Sequence, residues 1–215
     1  EMGFWNQALA ASGSYITLQR MEFIETLNKL APPIHLGITG EKAGLRLHYL
    51  QNVGDSELRS RESLESAFYK ALAQLEWQEI ERGMSLTGPH RDDIKFFLAH
   101  IDMGIYGSRG QRRTIALSVK LAEAQLFRGR TGEQPVILLD DVLSELDARR
   151  RAYLLEAISD SEQVFLTTTD LDRLSPGILA KAAVYGVAEG RLSSPGSTQR
   201  EVPQSGTAPE LQSNG

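Results

Sequence analysis

Apolar residues recur at helical spacing in two parts of the first half of the chain. From Ile16 to Leu30 they return every three to four positions while charged residues occupy the other faces, which predicts an amphipathic helix. Pro32 and Pro33 predict the end of that helix, because proline cannot supply a backbone donor. A second amphipathic helix with many charges is predicted from Arg61 to about Glu81.

Between these two helices the pattern is typical of strands. "PIHLGITGEKAGLRLHYL" has two short apolar runs around Gly40 to Gly44, and the second run alternates apolar with polar residues. This pattern predicts a small hairpin. We therefore expect residues 1–84 to form a mostly helical arm domain that contains a small hairpin.

After Gly83 the pattern changes to short strands alternating with helices, which is typical of an α/β fold. The predicted elements are a long helix from Ser108 to about Phe127, a strand from Pro135 to Leu139, a helix from Asp147 to Ile158, a strand at "QVFLTTT", a short helix, and a terminal hairpin turning at Glu189-Gly190. The apolar stripe of the long helix is wide enough to predict cover on more than one side. The uninterrupted run 135–139 predicts a strand buried on both faces of a parallel sheet.

Residues 85–192 are thus expected to form one α/β lobe. From 193 to 215 the sequence contains no aromatic residue and is dominated by Ser, Pro, Gly, Gln and Thr. Such a segment cannot bury enough apolar area to offset the entropy of ordering, so it is predicted to be a disordered tail.

Composition narrows the class of protein. The 215 residues contain no cysteine, which excludes disulfides and thiolate zinc sites, and the four histidines are too scattered to indicate a metal centre. We find neither a membrane-spanning run nor a signal-peptide pattern and expect a cytoplasmic protein. The net charge of -5 means that any contact with DNA must be local.

Two adjacent carboxylates end the predicted strand of "PVILLDDVLSELD". Successive strand residues point to opposite faces, so Asp140 and Asp141 can address different groups at the sheet edge where α/β proteins bind ligands. This is the Walker B arrangement, in which the first acid holds Mg²⁺ and the second orients the attacking water. The alternatives are a capping Asp141 beside a solvated Asp140, or a receiver-like domain with Asp140 as phosphoacceptor.

The start of the long helix carries a second pattern. Ser108 and Gln111 have the spacing of a capping box, which is a sufficient structural explanation for both. Gly110 in the first helical turn is not explained in that way, because glycine there costs up to about 1 kcal/mol against alanine. A glycine lets a ligand approach the backbone, and helix N-termini bind phosphate. The spacing matches the S-x-G-Q signature of the ABC ATPase superfamily.

A third pattern, "SELD", directly follows the strand end. Asp147 can act as the N-cap of the next helix, and Ser144 to Asp147 also occupy the position of the D-loop in ABC ATPases. The order and spacing of these three patterns together favour an ABC-type ATPase over any other class.

Within that superfamily the sequence resembles the RecF family of DNA replication, recombination and repair ATPases. This family is related to the head domains of SMC proteins. The resemblance rests on "TGPHRDD", "YGSRGQRRT", "ILLDDVLSELD" and "VFLTTTDLD", with Trp5, Gly13 and Arg20 also at family positions, and covers about residues 3 to 192. It implies the C-terminal lobe of an ABC-type P-loop NTPase head. It also implies ATP and Mg²⁺ as cofactors, with Asp140 at the metal and Asp141 at the water.

The same resemblance implies roles for other residues. Ser108, Gly110 and Gln111 would contact the γ-phosphate held by the opposite subunit, and Ser144 and Asp147 would lie at the dimer interface. A threonine replaces the switch histidine of many ABC proteins; we expect it to be Thr168 or Thr169.

One departure from the family limits these expectations. No G-x-x-x-x-G-K-[ST] phosphate loop occurs in the 215 residues. We therefore expect the chain to be the C-terminal part of such a protein, lacking the Walker A region and inactive as an ATPase alone. The alternative is a non-catalytic dimerisation module that binds DNA or a protein partner.

Partners are implied by the resemblance alone: double-stranded or gapped DNA, an ATP-dependent homodimer, the mediator proteins RecR and RecO, and a role in the SOS response. Residues 90–130 carry eight Lys and Arg against four acids. Arg109, Arg112 and Arg113 are therefore candidates for DNA contact; they could instead serve the nucleotide or the dimer interface.

Overall fold

A computed structural model describes residues 2–42, 44–54 and 58–193. Its helices and strands, in chain order, are α1 (Met2–Thr39), β1 (Leu45–Leu50), α2 (Arg61–Arg82), β2 (Asp93–Leu98), β3 (Ile101–Asp102), α3 (Met103–Tyr106), α4 (Arg109–Thr131), β4 (Ile137–Asp140), α5 (Ala148–Ala157), β5 (Val164–Thr167), α6 (Pro176–Leu179), β6 (Gly186–Ala188) and β7 (Arg191–Ser193). Short 3₁₀ turns occupy Pro89–Arg91, Val142–Glu145 and Leu171–Arg173. The prediction of a disordered tail concerns residues outside the described part, apart from Ser193.

The long first helix corrects the prediction that Pro32-Pro33 ends it. Helix α1 continues through both prolines to Thr39. Proline inside a helix costs roughly 3 kcal/mol, but Ala31 and Ile38 on either side of the pair are fully buried. Burial of this apolar stripe after the prolines offsets the lost backbone bonds.

The predicted hairpin around Gly40 to Gly44 is also wrong. Gly40 ends α1 in the left-handed conformation (φ 73°), and β1 pairs antiparallel with β2, from Leu45 opposite Leu98 to Leu50 opposite Asp93. The side chain of Asn28 on α1 meets the backbone of Leu47, accepting from its N–H and donating to its carbonyl, both at 2.7 Å. Because a helix side chain satisfies β1 there, the strand does not need a hairpin partner.

Helices α1 and α2 pack on each other around a small core. Its buried residues are Ala10, Val53, Phe68 and Leu72. Gly13 permits the close approach of the helices, since a Cβ placed there would lie 3.1 Å from Cε1 of Phe68. The predicted second helix is confirmed, with Ser60 as its N-cap and Gly83 as its C-cap.

The segment "TGPHRDD" forms a polar junction between α1 and β1. The carboxylate of Asp92 is almost fully buried, accepts hydrogen bonds from the Tyr49 hydroxyl and the Asn52 N–H, and lies 3.7 Å from the Arg20 guanidinium. Burial, followed by the hydrogen bond to Asp92, raises the pKa of Tyr49 to about 12. This junction joins α1 to β1 and to the start of β2.

The predicted elements after residue 108 are confirmed. Helix α4 begins after Ser108, β4 and β5 form a parallel pair, and α5 begins after Asp147. Burial of β4 on both faces is not observed in the described chain, because Leu138 is 72% exposed.

Two compact units divide at the end of β5, the first extending through Thr167 and the second beginning at Thr168. The second contains the predicted terminal hairpin, β6 with β7, turning at Glu189 and Gly190 in positive-φ conformations. The domain boundary predicted near residue 84 stays a prediction. Among the helices of the described residues, none has the length and apolarity to cross a membrane.

Candidate functional site

The two aspartates lie where the parallel strands end. Asp140 is the last residue of β4 and stands opposite Thr167, the last residue of β5. Both side chains are exposed. The carboxyl ends of parallel strands form the edge at which open α/β sheets bind ligands, so the position predicted for Asp140 is the one the strand pairing produces.

Thr167 joins the two aspartates. Its hydroxyl donates to Oδ1 of Asp140 at 2.6 Å and accepts from the backbone N–H of Asp141 at 2.9 Å. One side chain on β5 therefore orients the carboxylate of Asp140 and anchors the backbone of the next residue. The prediction that Thr168 or Thr169 takes the place of the switch histidine stays a prediction.

Asp141 turns the chain out of the sheet. It adopts the left-handed conformation (φ 48°, ψ 22°), uncommon for a residue with a side chain. The Ser144 hydroxyl lies 2.9 Å from Oδ2 and 2.8 Å from the carbonyl oxygen of Asp141. The predicted D-loop serine thus contacts the predicted water-orienting acid within the same chain.

Asp147 acts as a helix cap. Its Oδ1 accepts from the Arg150 N–H at 2.9 Å, and its Oδ2 lies 3.4 Å from the Arg150 guanidinium. The capping interpretation of this residue is confirmed; a role at a dimer interface stays a prediction.

The signature serine and glutamine form the expected capping box. The Ser108 hydroxyl accepts from the Gln111 N–H at 3.2 Å, and the Gln111 side chain accepts from the Ser108 N–H at 2.9 Å. Gly110 is different, because a Cβ added there would meet nothing within 4 Å. Packing within the described chain therefore gives no reason for glycine at this position.

The three arginines of the signature segment have different surroundings. Arg112 donates from Nε to the Gly107 carbonyl at 2.8 Å, and Arg113 forms an ion pair with Glu145 at 2.6 Å. Arg109 is exposed, and the structure shows no hydrogen bond or ion pair for it within the described residues.

The two threonines predicted to replace the switch histidine lie beyond β5. Thr168 makes a local turn, since its hydroxyl donates to the Asp170 carbonyl at 3.1 Å and accepts from the Asp170 N–H at 3.2 Å. Thr169 is exposed. The contact of Thr167 with Asp140, which sequence reasoning missed, has a signal in the sequence: aligning the ends of two parallel strands places the last residue of "VFLT" opposite Asp140.

The oxygen atoms of the Asp140 carboxylate are of the kind that Mg²⁺ prefers as ligands. Hard divalent cations take carboxylate oxygens, and Mg²⁺ is usually held by one or two carboxylates together with water and substrate phosphates. The exposed carboxylate of Asp140 fits that role. No group of three or more His, Cys, Asp or Glu side chains able to hold a metal occurs in the described residues.

Comparison with solved structures identifies the class of protein to which the fold belongs. A solved structure described as the recombination mediator protein RecF with ATPrS in the RecFOR pathway matches with a TM-score of 0.76 and 28% identity, over 90% of this chain and 50% of that chain. The corresponding RecF-ATP structure matches with a TM-score of 0.75. The fold is therefore that of part of an ABC-type ATPase head, since this chain covers half of the matching chain, which agrees with the predicted lobe of such a head.

Sequence comparison finds homologues among the RecF proteins. The chain is 44% identical over 193 residues to the DNA replication and repair protein RecF of Chloroflexus aurantiacus and 44% identical over 187 residues to that of Staphylococcus carnosus. These alignments cover 89% and 87% of this chain but 49% and 50% of the relatives. No protein-family model matches. The chain is a homologue of the RecF proteins and spans about half the length of the curated relatives it matches.

Proposed function

We propose that this chain contributes the signature helix and the Walker B strand to an ATP-dependent DNA-binding protein of DNA replication and repair. The observation that carries the proposal is the arrangement of Asp140, Thr167 and Asp141 at the carboxyl end of two parallel strands. In this proposal Asp140 binds the Mg²⁺ of ATP and Asp141 orients the attacking water.

The signature segment supports binding of the partner subunit's nucleotide. Free N–H groups at the start of a helix favour phosphate, and the open space at Gly110 lets a phosphate approach the backbone. Ser108 and Gln111 cap the helix in the described chain and would turn toward the γ-phosphate when two heads close. Ser144 and Asp147 would border that interface, and Thr168 or Thr169 would act as the switch residue.

For DNA, the environment of the three arginines favours Arg109. Its guanidinium is exposed, whereas Arg112 and Arg113 are engaged with Gly107 and Glu145. We propose gapped or double-stranded DNA as the ligand, RecR and RecO as protein partners, a role in recombinational repair and the SOS response, and the cytoplasm as the compartment. The repair role draws on the name of the RecF relatives, and RecR and RecO draw on the RecFOR description of the matching structure. The DNA ligand, the SOS response and the compartment draw on the resemblance of the sequence motifs.

A chimera tests the proposal. The 193 aligned residues of the Chloroflexus aurantiacus relative are replaced by this chain, and ATP hydrolysis, ATP-dependent dimerisation and DNA binding are measured. Asp141→Asn should reduce hydrolysis at least tenfold while ATP still drives dimerisation. Gly110→Ala should weaken dimerisation, and Arg109→Ala should reduce both DNA affinity and its salt dependence.

Glu162→Gln, an exposed acid after α5, is the matched control and should change none of these values. Equal hydrolysis by the Asp141→Asn and Glu162→Gln chimeras would overturn the assignment of Asp141. A chimera that dimerises and binds DNA without any dependence on ATP would instead support a non-catalytic dimerisation module.

A further inference from the structure

Thr167 makes two hydrogen bonds with a single hydroxyl, and both go to the adjacent aspartates at the end of β4. The hydroxyl donates to Oδ1 of Asp140 at 2.6 Å and accepts from the backbone N–H of Asp141 at 2.9 Å. A threonine hydroxyl has one proton and two lone pairs, and a carboxylate can only accept. The proton is therefore committed to Asp140 and a lone pair serves Asp141, so the two bonds can exist at the same time.

Strand formation does not explain the hydroxyl at this position. Threonine and valine are both branched at Cβ and both favour strands, so either would suit the last residue of β5. The next threonine does not take over the role, because the Thr168 hydroxyl is engaged with the backbone of Asp170. What distinguishes threonine from valine at position 167 is the pair of bonds to the aspartates, which the parallel register brings within reach.

At Asp140 the bond from Thr167 makes the two carboxylate oxygens different. Oδ1 is engaged by the hydroxyl, so Oδ2 is the oxygen left for a cation. An exposed side chain that is already held in one orientation loses less conformational entropy when it binds a ligand. The Thr167 hydroxyl therefore favours metal binding at Asp140, and it does so through the carboxylate that it holds.

At Asp141 the same hydroxyl anchors a strained turn. Asp141 is in the left-handed conformation (φ 48°, ψ 22°), which is uncommon for a residue with a side chain. Such conformations persist where the surrounding contacts hold them. The contacts here are the bond from the Asp141 N–H to Thr167 and the Ser144 hydroxyl, which lies 2.9 Å from Oδ2 of Asp141. The direction in which the Asp141 carboxylate leaves the chain thus depends on Thr167.

We infer that Thr167 is a positioning residue of the proposed Mg²⁺ and ATP site, and that its hydroxyl sets the metal-binding acid and the water-orienting acid as one unit. The inference rests on the proposed function, because it takes Asp140 as a ligand of Mg²⁺ and Asp141 as the residue that orients water. Loss of the hydroxyl should weaken metal binding through Asp140 and slow the chemical step through Asp141.

Amide exchange tests the two bonds in the chain alone. Thr167→Val keeps the branched shape and removes both bonds, so exchange of the Asp141 N–H with solvent, followed by NMR, should accelerate at least fivefold. Thr167→Ser retains a hydroxyl and should stay within twofold of wild type. Thr131→Val is the matched control, because it removes a hydroxyl that bonds the Phe127 carbonyl at 3.0 Å at the other end of α4. Asp141 should exchange in this control as in wild type.

Metal binding and hydrolysis test the positioning role in the chimera that carries this chain. Mn²⁺ takes the same kind of oxygen ligands as Mg²⁺, and its binding in the presence of ATP can be measured by electron paramagnetic resonance. Thr167→Val should weaken Mn²⁺ binding at least tenfold and lower kcat at saturating metal at least threefold. Thr167→Ser should restore both within twofold, and Thr131→Val should change neither. A role in stability alone would lower the amount of folded protein without changing the metal affinity of the folded part.

Three results would overturn the inference. The first is Asp141 exchange that Thr167→Val leaves unchanged, and the second is equal Mn²⁺ affinity and kcat in the Thr167→Val and wild-type chimeras. The third is a Thr167→Ser chimera as impaired as Thr167→Val, which would assign the effect to side-chain shape and not to the hydroxyl. Failure of the proposed function has a different signature: the wild-type chimera itself would bind neither ATP nor Mn²⁺, and both proposals would be wrong.

Discussion

The regions around Asp92 and Asp140 use an aspartate in opposite ways. At Asp92 the carboxylate is buried and contacts the Tyr49 hydroxyl, the Asn52 N–H and the Arg20 guanidinium. At Asp140 the carboxylate is exposed, and the hydrogen bond it receives comes from Thr167. The first arrangement stabilises a junction in the fold, whereas the second orients a carboxylate and leaves capacity for a ligand.

Two glycines show the same contrast. Gly13 lies against the ring of Phe68, so its lack of a side chain is explained by helix packing. Gly110 faces open space. Where the fold explains a residue, a functional reason is unnecessary; where it does not, a ligand or a partner is the better explanation.

The largest difference in stability is expected between a buried apolar residue of the α1–α2 core and an exposed apolar residue of β4. Phe68→Ala removes a side chain that is 2% exposed and should lower the free energy of unfolding by about 3 to 5 kcal/mol. Leu138→Ala removes one that is 72% exposed and should change it by less than about 0.5 kcal/mol. Urea unfolding of the chain measures both, and equal losses would contradict the contrast.

The second largest difference in stability is expected between substitutions of the two aspartates. Asp92→Ala leaves the Tyr49 hydroxyl and the Asn52 N–H without their acceptor and should cost about 2 to 4 kcal/mol of unfolding free energy. Asp140→Ala should cost less than about 1 kcal/mol, because its surroundings are solvated. Thermal unfolding compares the two variants, and a stability loss at Asp140 as large as that at Asp92 would mean that Asp140 is structural.

A smaller difference in stability is expected between substitutions of the two glycines. Gly110→Ala should raise the unfolding free energy by about 0.5 kcal/mol, since alanine favours the helix and meets no neighbour. Gly13→Ala should be less stable than Gly110→Ala by roughly 1 to 2 kcal/mol, because the buried ring of Phe68 would have to shift. Chemical denaturation distinguishes them; a Gly13→Ala chain as stable as Gly110→Ala would show that Phe68 can adjust freely.

The last expected effect concerns the pH dependence of stability and lies in α1. Burial lowers the pKa of His35 from its ordinary 6.5; Glu41 raises this pKa and Arg150 lowers it, both by smaller amounts. As pH falls below 6.5, the unfolded chain binds a proton that the folded chain resists, so stability declines down to the folded pKa. The slope cannot exceed about 1.4 kcal/mol per pH unit for one proton.

Unfolding free energies between pH 8 and pH 5 would check this dependence. His35→Gln should flatten the profile in that range, whereas His48→Gln on the exposed side of β1 should leave the decline unchanged. A profile that His35→Gln does not alter would assign the acid sensitivity to other groups.

The sequence by itself determined the elements that depend on near neighbours. The helices that begin after Ser60, Ser108 and Asp147 start where a capping side chain accepts from a backbone N–H three residues on. The terminal hairpin turns where it was predicted, and the carboxylates stand at a strand end because an apolar run stops there. Periodicity and caps act within about four residues, so they can be read from the chain alone.

Tertiary structure decided what depends on distant residues. Helix α1 passes through two prolines because Ala31 and Ile38 are buried on either side of them. Strand β1 pairs with β2, more than 40 positions away in the chain, and not with the residues before it. Thr167, not its neighbours, meets Asp140 because the register of two parallel strands places their last residues side by side. Such contacts are selected by the packing of the whole fold, which local sequence pattern does not contain.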